Sequence, residues 1–326
     1  MNERRRGGVI RVFFFLVITA SVFLIIRYQV FLLGHNNWCD EDETIVVAKM
    51  MAHGQKLYTD IFNHHGPLTF LPGLIVESLG DFKIPVHRIP ILFLQWIALL
   101  AVYFSPLIYS KMSKICNTLI VATFIVAFLS GIYGSMYLYQ SIAGIFCVII
   151  LAQYTLPNIL SLPFCKPMAI IGPALIVSLS FLAITYLPIS ILLFLASVRR
   201  ENIKSSLIGI ACGLLFNLFF ILFFFSLRGY IAYHLYLNIK FLGSGTIIPL
   251  FQSVFNFSLG TPVGFVSLLY LLLIASILCI KSKDRFPWRG IVVAFSVAAF
   301  WMRNPGWYFH GLPYLYSFAG LSPVLF

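Results

Sequence analysis

Charge is what this sequence has least of. Only 10% of its 326 residues are Asp, Glu, Lys or Arg, and 60% are hydrophobic. A soluble globular domain carries about 25% charged and about 45–50% apolar residues. No soluble core hides that much apolar surface, so lipid is the solvent for most of the chain. The mean hydropathy of +0.96 agrees. Acids are scarcest, with 10 Asp and Glu against 22 Lys and Arg and a formal net charge of +12. A basic balance raises nucleic acid as a partner. Here the basic residues lie between apolar runs rather than in one patch, which argues against nucleic acid and for orientation in a membrane. The six cysteines are scattered and none has CxxC spacing, so neither a disulfide framework nor a zinc site is implied. Internal repeats and low-complexity linkers are also missing, which gives a single domain over 1–326.

Long apolar runs are what the sequence has in abundance, with 33 Phe among them. A membrane helix needs roughly 20 apolar residues. The expected fold is therefore all-α and polytopic, with about ten transmembrane helices. The spans are Val12–Leu33, Arg88–Tyr109, Ile115–Tyr133, Tyr137–Tyr154, Met168–Thr185, Leu187–Val198, Ser206–Leu227, Val263–Ile280, Gly290–Met302 and Trp307–Phe326. The stretch from Met168 to Val198 is too long for one helix, and Tyr186-Leu-Pro188 divides it because proline interrupts a helix. The first run exceeds the about 7–15 apolar residues of a cleaved signal peptide, so it reads as an uncleaved span.

Charge sets the orientation. With the N-terminus cytoplasmic, 14 Lys and Arg fall in internal loops and 7 in external ones, with Arg27 inside the first span. This is the positive-inside bias. Asp40, Glu41, Asp42, Glu43, Asp60, Glu77 and Asp81 all fall outside. Two external segments are long, 34–87 and 228–262. The expected location is a plasma membrane, multi-pass, in a bacterial inner membrane, with the acidic loop facing the periplasm or exterior.

The first external loop carries the chemistry. Asp42 to His53 reads as a short juxtamembrane helix, with Ile45, Ala48, Met51 and Ala52 on one face and Gly54 as its C-cap. Acids in its first turn suit the helix dipole. A second helical stretch runs from Pro67 to about Leu79, opened by proline. Four consecutive acids near a low-dielectric boundary either cap a helix or supply a general base.

At these residues the chain resembles a family. Asp40-Glu41, Ala48-Lys49, Gly54, Tyr58, Asp60-Ile-Phe62 and His64-His65-Gly66-Pro67-Leu68 occur in order, followed by His87-Arg88-Ile89-Pro90. This pattern is similar to the first external loop of GT-C fold glycosyltransferases that use polyprenyl-phosphate sugars, such as protein O-mannosyltransferases and the bacterial aminoarabinose transferase of lipid A. Weaker similarities follow at Ser178 to Arg200, Leu227-Arg228-Gly229-Tyr230, Tyr236-Leu-Asn238 and Arg303 to Pro313. The resemblance implies a catalytic carboxylate at Asp40, with Glu41 beside it. It places His65 at the basic position before Pro-Leu, with His64, Lys49, Arg88 and Arg303 as further groups for the donor phosphate. Tyr58 and His310 are candidate donor or acceptor contacts. The implied partners are a polyprenyl-phosphate-linked sugar, a lipid, glycan or protein acceptor, and membrane lipid. No cofactor is expected, although the loop's acids and histidines are divalent-cation ligands by type and some relatives need one. Many relatives continue further, often into a soluble C-terminal domain. This chain stops at Phe326 inside an apolar run, so a short or truncated member without that domain is expected.

Each residue also has a structural reading. Lys49 can be a solvated helix residue, and Arg88 a helix-end anchor. His64 and His65 can cap a turn, and His310 can be a hydrogen-bonded core residue. Arg303 precedes the turn signal Asn304-Pro305-Gly306. Arg27 can snorkel and is given no role, and the sequon Asn256-Phe-Ser258 is common by chance. Two other functions compete with sugar transfer. A transporter or lipid flippase tends to show repeats and charged or broken helices at midplane, which are not evident here. A catalytically inactive, truncated relative binds lipid without turnover.

Overall fold

The computed structural model describes residues 3–36, 38–80, 83–163, 165–242, 252, 256–282, 288–302 and 308–326. Side chains are described from residue 12 onward in the first helix. The helical runs are α1 (Glu3–Leu33), α2 (Cys39–Ala52), α3 (Pro67–Glu77), α4 (Ile84–Tyr103), α5 (Lys111–Ile132), α6 (Tyr139–Ile159), α7 (Met168–Leu182), α8 (Ile184–Ser197), α9 (Arg200–Phe224), α10 (Tyr230–Leu242), α11 (Pro262–Lys281), α12 (Trp288–Met302) and α13 (Leu312–Leu321). No strand occurs among the described residues, only isolated bridges from Leu57 to Ile61 and Phe225.

Six of these runs are long and apolar enough to cross a membrane: residues Val12–Leu33 of α1, then α4, α5, α6, α9 and α11. They match six of the ten expected spans. Met168–Thr185, Leu187–Val198 and Gly290–Met302 correspond to the shorter helices α7, α8 and α12. Within Trp307–Phe326 the described residues form a 3₁₀ turn at Tyr308–Gly311, the ten-residue α13 and a second 3₁₀ turn at Ser322–Leu325, and Trp307 itself lies outside the described residues. The break between α7 and α8 falls at Ala183, three residues before the expected Tyr186-Leu-Pro188. Ala183 is extended (φ −154°, ψ 126°), and Pro188 opens the α-helical part of α8.

α6 is the hub. In its most apolar window 89% of residues are buried, against 17–39% in the other five long runs. It packs on α4, α7 and α13. The peripheral helices keep apolar side chains exposed instead, among them Phe13, Phe15 and Phe23 on α1 and Leu215, Phe219 and Phe223 on α9. Bare apolar faces of this extent are tolerated in lipid and would aggregate in water.

Two features seat the 34–87 segment on the bundle. Gly54 closes α2 with φ +89°, its N–H donating to the Met51 carbonyl; this left-handed position is the expected C-cap. Gly66 enters α3 against the end of α7. Its N–H donates to the Leu182 carbonyl at 3.1 Å, and a Cβ there would lie 2.1 Å from the Phe181 carbonyl oxygen. That contact is with rigid backbone, so Gly66→Ala should cost about 1–3 kcal/mol of stability, the usual overpacking range. Thermal unfolding in detergent checks this; an unchanged melting temperature would show that α3 does not approach α7 so closely.

Candidate functional site

The acidic helix α2 starts at Cys39, three residues earlier than expected, so Asp40, Glu41 and Asp42 all lie in its first turn. The residues buried on it are Glu41, Thr44, Ile45, Val47, Ala48 and Met51, the spacing of one helical face. Ala52, expected on that face, is exposed. Helical geometry thus turns Glu41 inward, leaves Asp40 half-buried and points Asp42 and Glu43 out.

Glu41 meets Arg88 from the turn inside α4. Arg88 Nε donates to Glu41 Oε1 at 2.9 Å and its NH2 to Oε2 at 2.5 Å. Glu41 Oε1 also accepts from the Tyr137 backbone N–H at 2.8 Å. The remaining Arg88 donors go to the carbonyls of Leu32, Leu33, His35 and Asn36, at 2.7–3.1 Å. The Leu32 and Leu33 carbonyls end α1, where a helix leaves acceptors and favours a cation, and those of His35 and Asn36 lie in the turn that follows. Asn36 sits in the left-handed region (φ 59°), and its carbonyl is one of those held. Both side chains are at most 1% exposed. All five guanidinium N–H groups are therefore consumed within the protein. Arg88 and Glu41, expected at the donor phosphate and beside the catalytic carboxylate, are brought together here in a pair that positions the loop.

Tyr137 extends the same brace. Its hydroxyl donates to the Thr69 carbonyl at 2.7 Å and accepts from the Gly73 N–H at 2.9 Å, which ties α3 to the turn before α6. Gln95 supports that turn from α4. Its Nε2 reaches the Tyr316 hydroxyl at 2.8 Å, and Tyr316 donates to the Gly134 carbonyl at 2.9 Å. Lys49 forms a separate tie: its ammonium lies 3.8 Å from Glu77, which also meets His87 Nε2 at 2.6 Å.

The histidine pair sits in a third group. Asn63 donates to Glu43 Oε1 at 2.7 Å and accepts from the His65 N–H at 2.8 Å, so the outer face of α2 is linked to His65. The Tyr58 hydroxyl donates to the His65 carbonyl at 2.5 Å. Tyr58 is buried with φ 67° against Phe225, Tyr230 and Tyr233, and burial holds its phenol well above the usual range, so it stays neutral. Asn238 Nδ2 and His234 Nδ1, both on α10, meet the His64 carbonyl at 2.8 and 3.3 Å. His234 Nε2 lies 3.3 Å from the Ser180 carbonyl, so the ring spans from the end of α7 to the histidine pair. The half-buried His65 ring packs on Tyr139 (5.0 Å) and on His64 (4.4 Å). At the next residue, Gln140 Nε2 meets His310 Nδ1 at 3.2 Å. The first turn of α6 therefore has His65 beside one residue and His310 beside the next.

Asp40 makes no ion pair among the described residues. Its carboxylate accepts a weak contact from the Cys39 thiol at 3.5 Å, and its backbone carbonyl takes the Thr44 hydroxyl at 2.8 Å. Two residues before it, Trp38 stacks on Tyr133 at 5.0 Å. Arg303 lies outside the described residues. No group of three metal-ligating side chains occurs among the described residues. A cavity of about 650 Å³ lies between α5, α11 and the C-terminal residues, and none of the expected site residues lines it. Sequence reasoning missed Asn63, Tyr137, Gln140, His234 and Asn238 as supports. Only Glu41 carried a local signal, its spacing to Thr44, Ile45 and Ala48.

No protein-family model, curated protein or solved structure matches the chain.

The buried pair gives a clear expectation. Arg88→Met strands the Glu41 carboxylate and should cost about 3–5 kcal/mol. Glu41→Leu combined with Arg88→Met removes both charges and should recover a large part of that loss. Unfolding of the two single variants and the double variant checks this; additive losses would mean the pair is not coupled.

Proposed function

We propose that this protein is a membrane glycosyltransferase that moves a sugar from a polyprenyl-phosphate donor to an acceptor hydroxyl, with Asp40 as general base. The observation that carries the reading is the unequal fate of two adjacent acids. Glu41 is locked in the Arg88 fork, while Asp40 stays half-buried on the same turn with one weak thiol contact. A carboxylate held in place but not consumed by pairing is what a base needs. The sequence resemblance to GT-C fold enzymes gives the same residue the same role.

The chemistry follows from that placement. The acceptor oxygen attacks the anomeric carbon as its proton passes to Asp40. The bond from that carbon to the phosphate oxygen breaks, and the electron pair leaves with the polyprenyl phosphate. Charge growing on that phosphate needs donors aimed at it. His65 and His64 are the groups proposed for this, since Arg88 is spent internally and Lys49 is paired with Glu77. Arg303 and His310 remain further candidates. Trp38, stacked on Tyr133 beside the acidic turn, offers an aromatic face for the apolar side of a sugar ring. The acceptor is a lipid, glycan or protein hydroxyl.

On this reading the chain is multi-pass in a plasma membrane, the inner membrane of a bacterium, with its N-terminus cytoplasmic and Asp40 facing the periplasm or exterior. The bias of basic residues toward one set of loops supports that orientation. A second reading, lipid binding without turnover, has one observation in its favour: Arg88 has no N–H left for a phosphate.

Purified protein in proteoliposomes, given a radiolabelled polyprenyl-phosphate sugar and membrane extract as acceptor, separates these readings. Asp40→Asn should lower transfer about 100-fold or more while donor binding persists, and Asp42→Asn should be close to wild type. Wild-type turnover in Asp40→Asn would sink the assignment. Donor binding by the wild type without transfer would favour the second reading.

A further inference from the structure

The cavity between α5, α11 and the C-terminal residues is apolar apart from a few groups. Ser267, Tyr270 and Ser322 line it, but each donates its hydroxyl to a helix carbonyl: those of Val263, Phe318 and Ala319. Asn117 differs. It is fully buried at the α5 side of the cavity, and neither Nδ2 nor Oδ1 has a hydrogen-bond partner. A buried amide left unsatisfied costs about 1–3 kcal/mol per group, so a ligand with both an acceptor and a hydroxyl would gain by meeting it.

Position and charge specify that ligand. α5 has 22 residues and is therefore about 33 Å long, close to the thickness of a bilayer's hydrocarbon core. Lys111 opens it, so Lys111 and Lys114 lie at the level where headgroups begin. Lys114 is half-buried and three residues before Asn117, hence on the same face and about 4.5 Å nearer the helix start. The helix N-terminus adds a partial positive charge there. From Asn117 the cavity follows α5 to Phe128, about 16.5 Å along the axis. Its walls over that length are apolar, with Ile120, Val121, Phe124, Val266 and Phe318 among them, which suits an extended hydrocarbon chain.

We infer that this cavity binds an anionic membrane phospholipid with a hydroxyl-bearing headgroup, of the phosphatidylglycerol type. Its phosphate lies against Lys111 and Lys114, an ester carbonyl and a hydroxyl meet Asn117, and one acyl chain runs toward Phe128. This site is separate from the acidic loop and stands whether or not sugar transfer is correct.

Native mass spectrometry and thermal unfolding of detergent-purified protein test it, with phosphatidylglycerol, phosphatidylcholine and oleate as probes. The wild type should retain phosphatidylglycerol and be stabilised by it, in preference to the other two. Asn117→Leu should weaken that retention about tenfold, as expected for about two lost hydrogen bonds. In lipid-free detergent the same variant should melt no lower than wild type, because it removes an unsatisfied amide. Val266→Trp, which fills the cavity from an exposed position on α11, should block retention and carries the test if Asn117→Leu does not fold. Equal retention by both variants overturns the proposal. So does equal binding of phosphatidylcholine or oleate by the wild type, or a dimer that Asn117→Leu dissociates.

Discussion

The buried fork between Glu41 and Arg88 is the constraint on which the rest of the loop depends. Taking both charges out of water costs several kcal/mol per ion, and their attraction offsets that only when every remaining donor and acceptor is used. Here they are used. The carboxylate takes three N–H groups, and the guanidinium gives its other bonds to four carbonyls at and just after the end of α1. One side chain thereby fixes the exit of α1, the first turn of α2 and the start of the α-helix within α4. Tyr137 carries the same constraint to α3 and to the hub helix α6. The orientation of Asp40 follows from this bracing, because Asp40 shares a helical turn with Glu41.

The histidine region is organised differently. Its backbone is gripped at several points: the carbonyl of His64 by Asn238 and His234, the carbonyl of His65 by Tyr58, and the N–H of His65 by Asn63. Gly66 then lets the chain pass close to the end of α7. Main-chain capture of this kind sets where the imidazoles start, and the His65 ring then packs on Tyr139 and His64. The three groups of polar contacts are thus a charged brace across α1, α2 and α4, a Lys49–Glu77–His87 tie across α2, α3 and α4, and a backbone clamp that joins the histidine pair to α10.

Much of this was legible in the sequence where the signal is local. The membrane character, the acidic helix with Gly54 at its end, the proline opening α3 and the break near Tyr186 are each encoded within a turn or two. The number of spans was not, because an apolar run does not record where a buried helix stops. Residues 168–197 are apolar almost throughout but form two shorter helices, and the described residues near the C-terminus form α13 between two 3₁₀ turns. The braces were illegible for another reason. Glu41 and Arg88 are 47 residues apart, Glu41 and Tyr137 96 apart, and Gln140 and His310 170 apart. Asn63, Gln95 and Asn238 belong to residue types that fit loops and helices anywhere, so only the fold reveals their use. The resemblance marked Arg88, but the hydrogen bonds and partners that bury it come from segments far apart in the chain; of these, the pairing with Glu41 alone spans 47 residues.

The way Arg88 finishes α1 has a consequence for biogenesis. A chain made from its N-terminus completes α1 more than fifty residues before the arginine that closes it exists. Until then the end of α1 is closed only by the local bonds from the Gly34 and His35 N–H groups to the Phe31 and Leu32 carbonyls, and Glu41 lacks its guanidinium partner on a helix not yet seated. Docking of α4 therefore completes two helices at once, and the first helix, otherwise the least buried of the long ones, is recruited to the bundle late in synthesis rather than at its start.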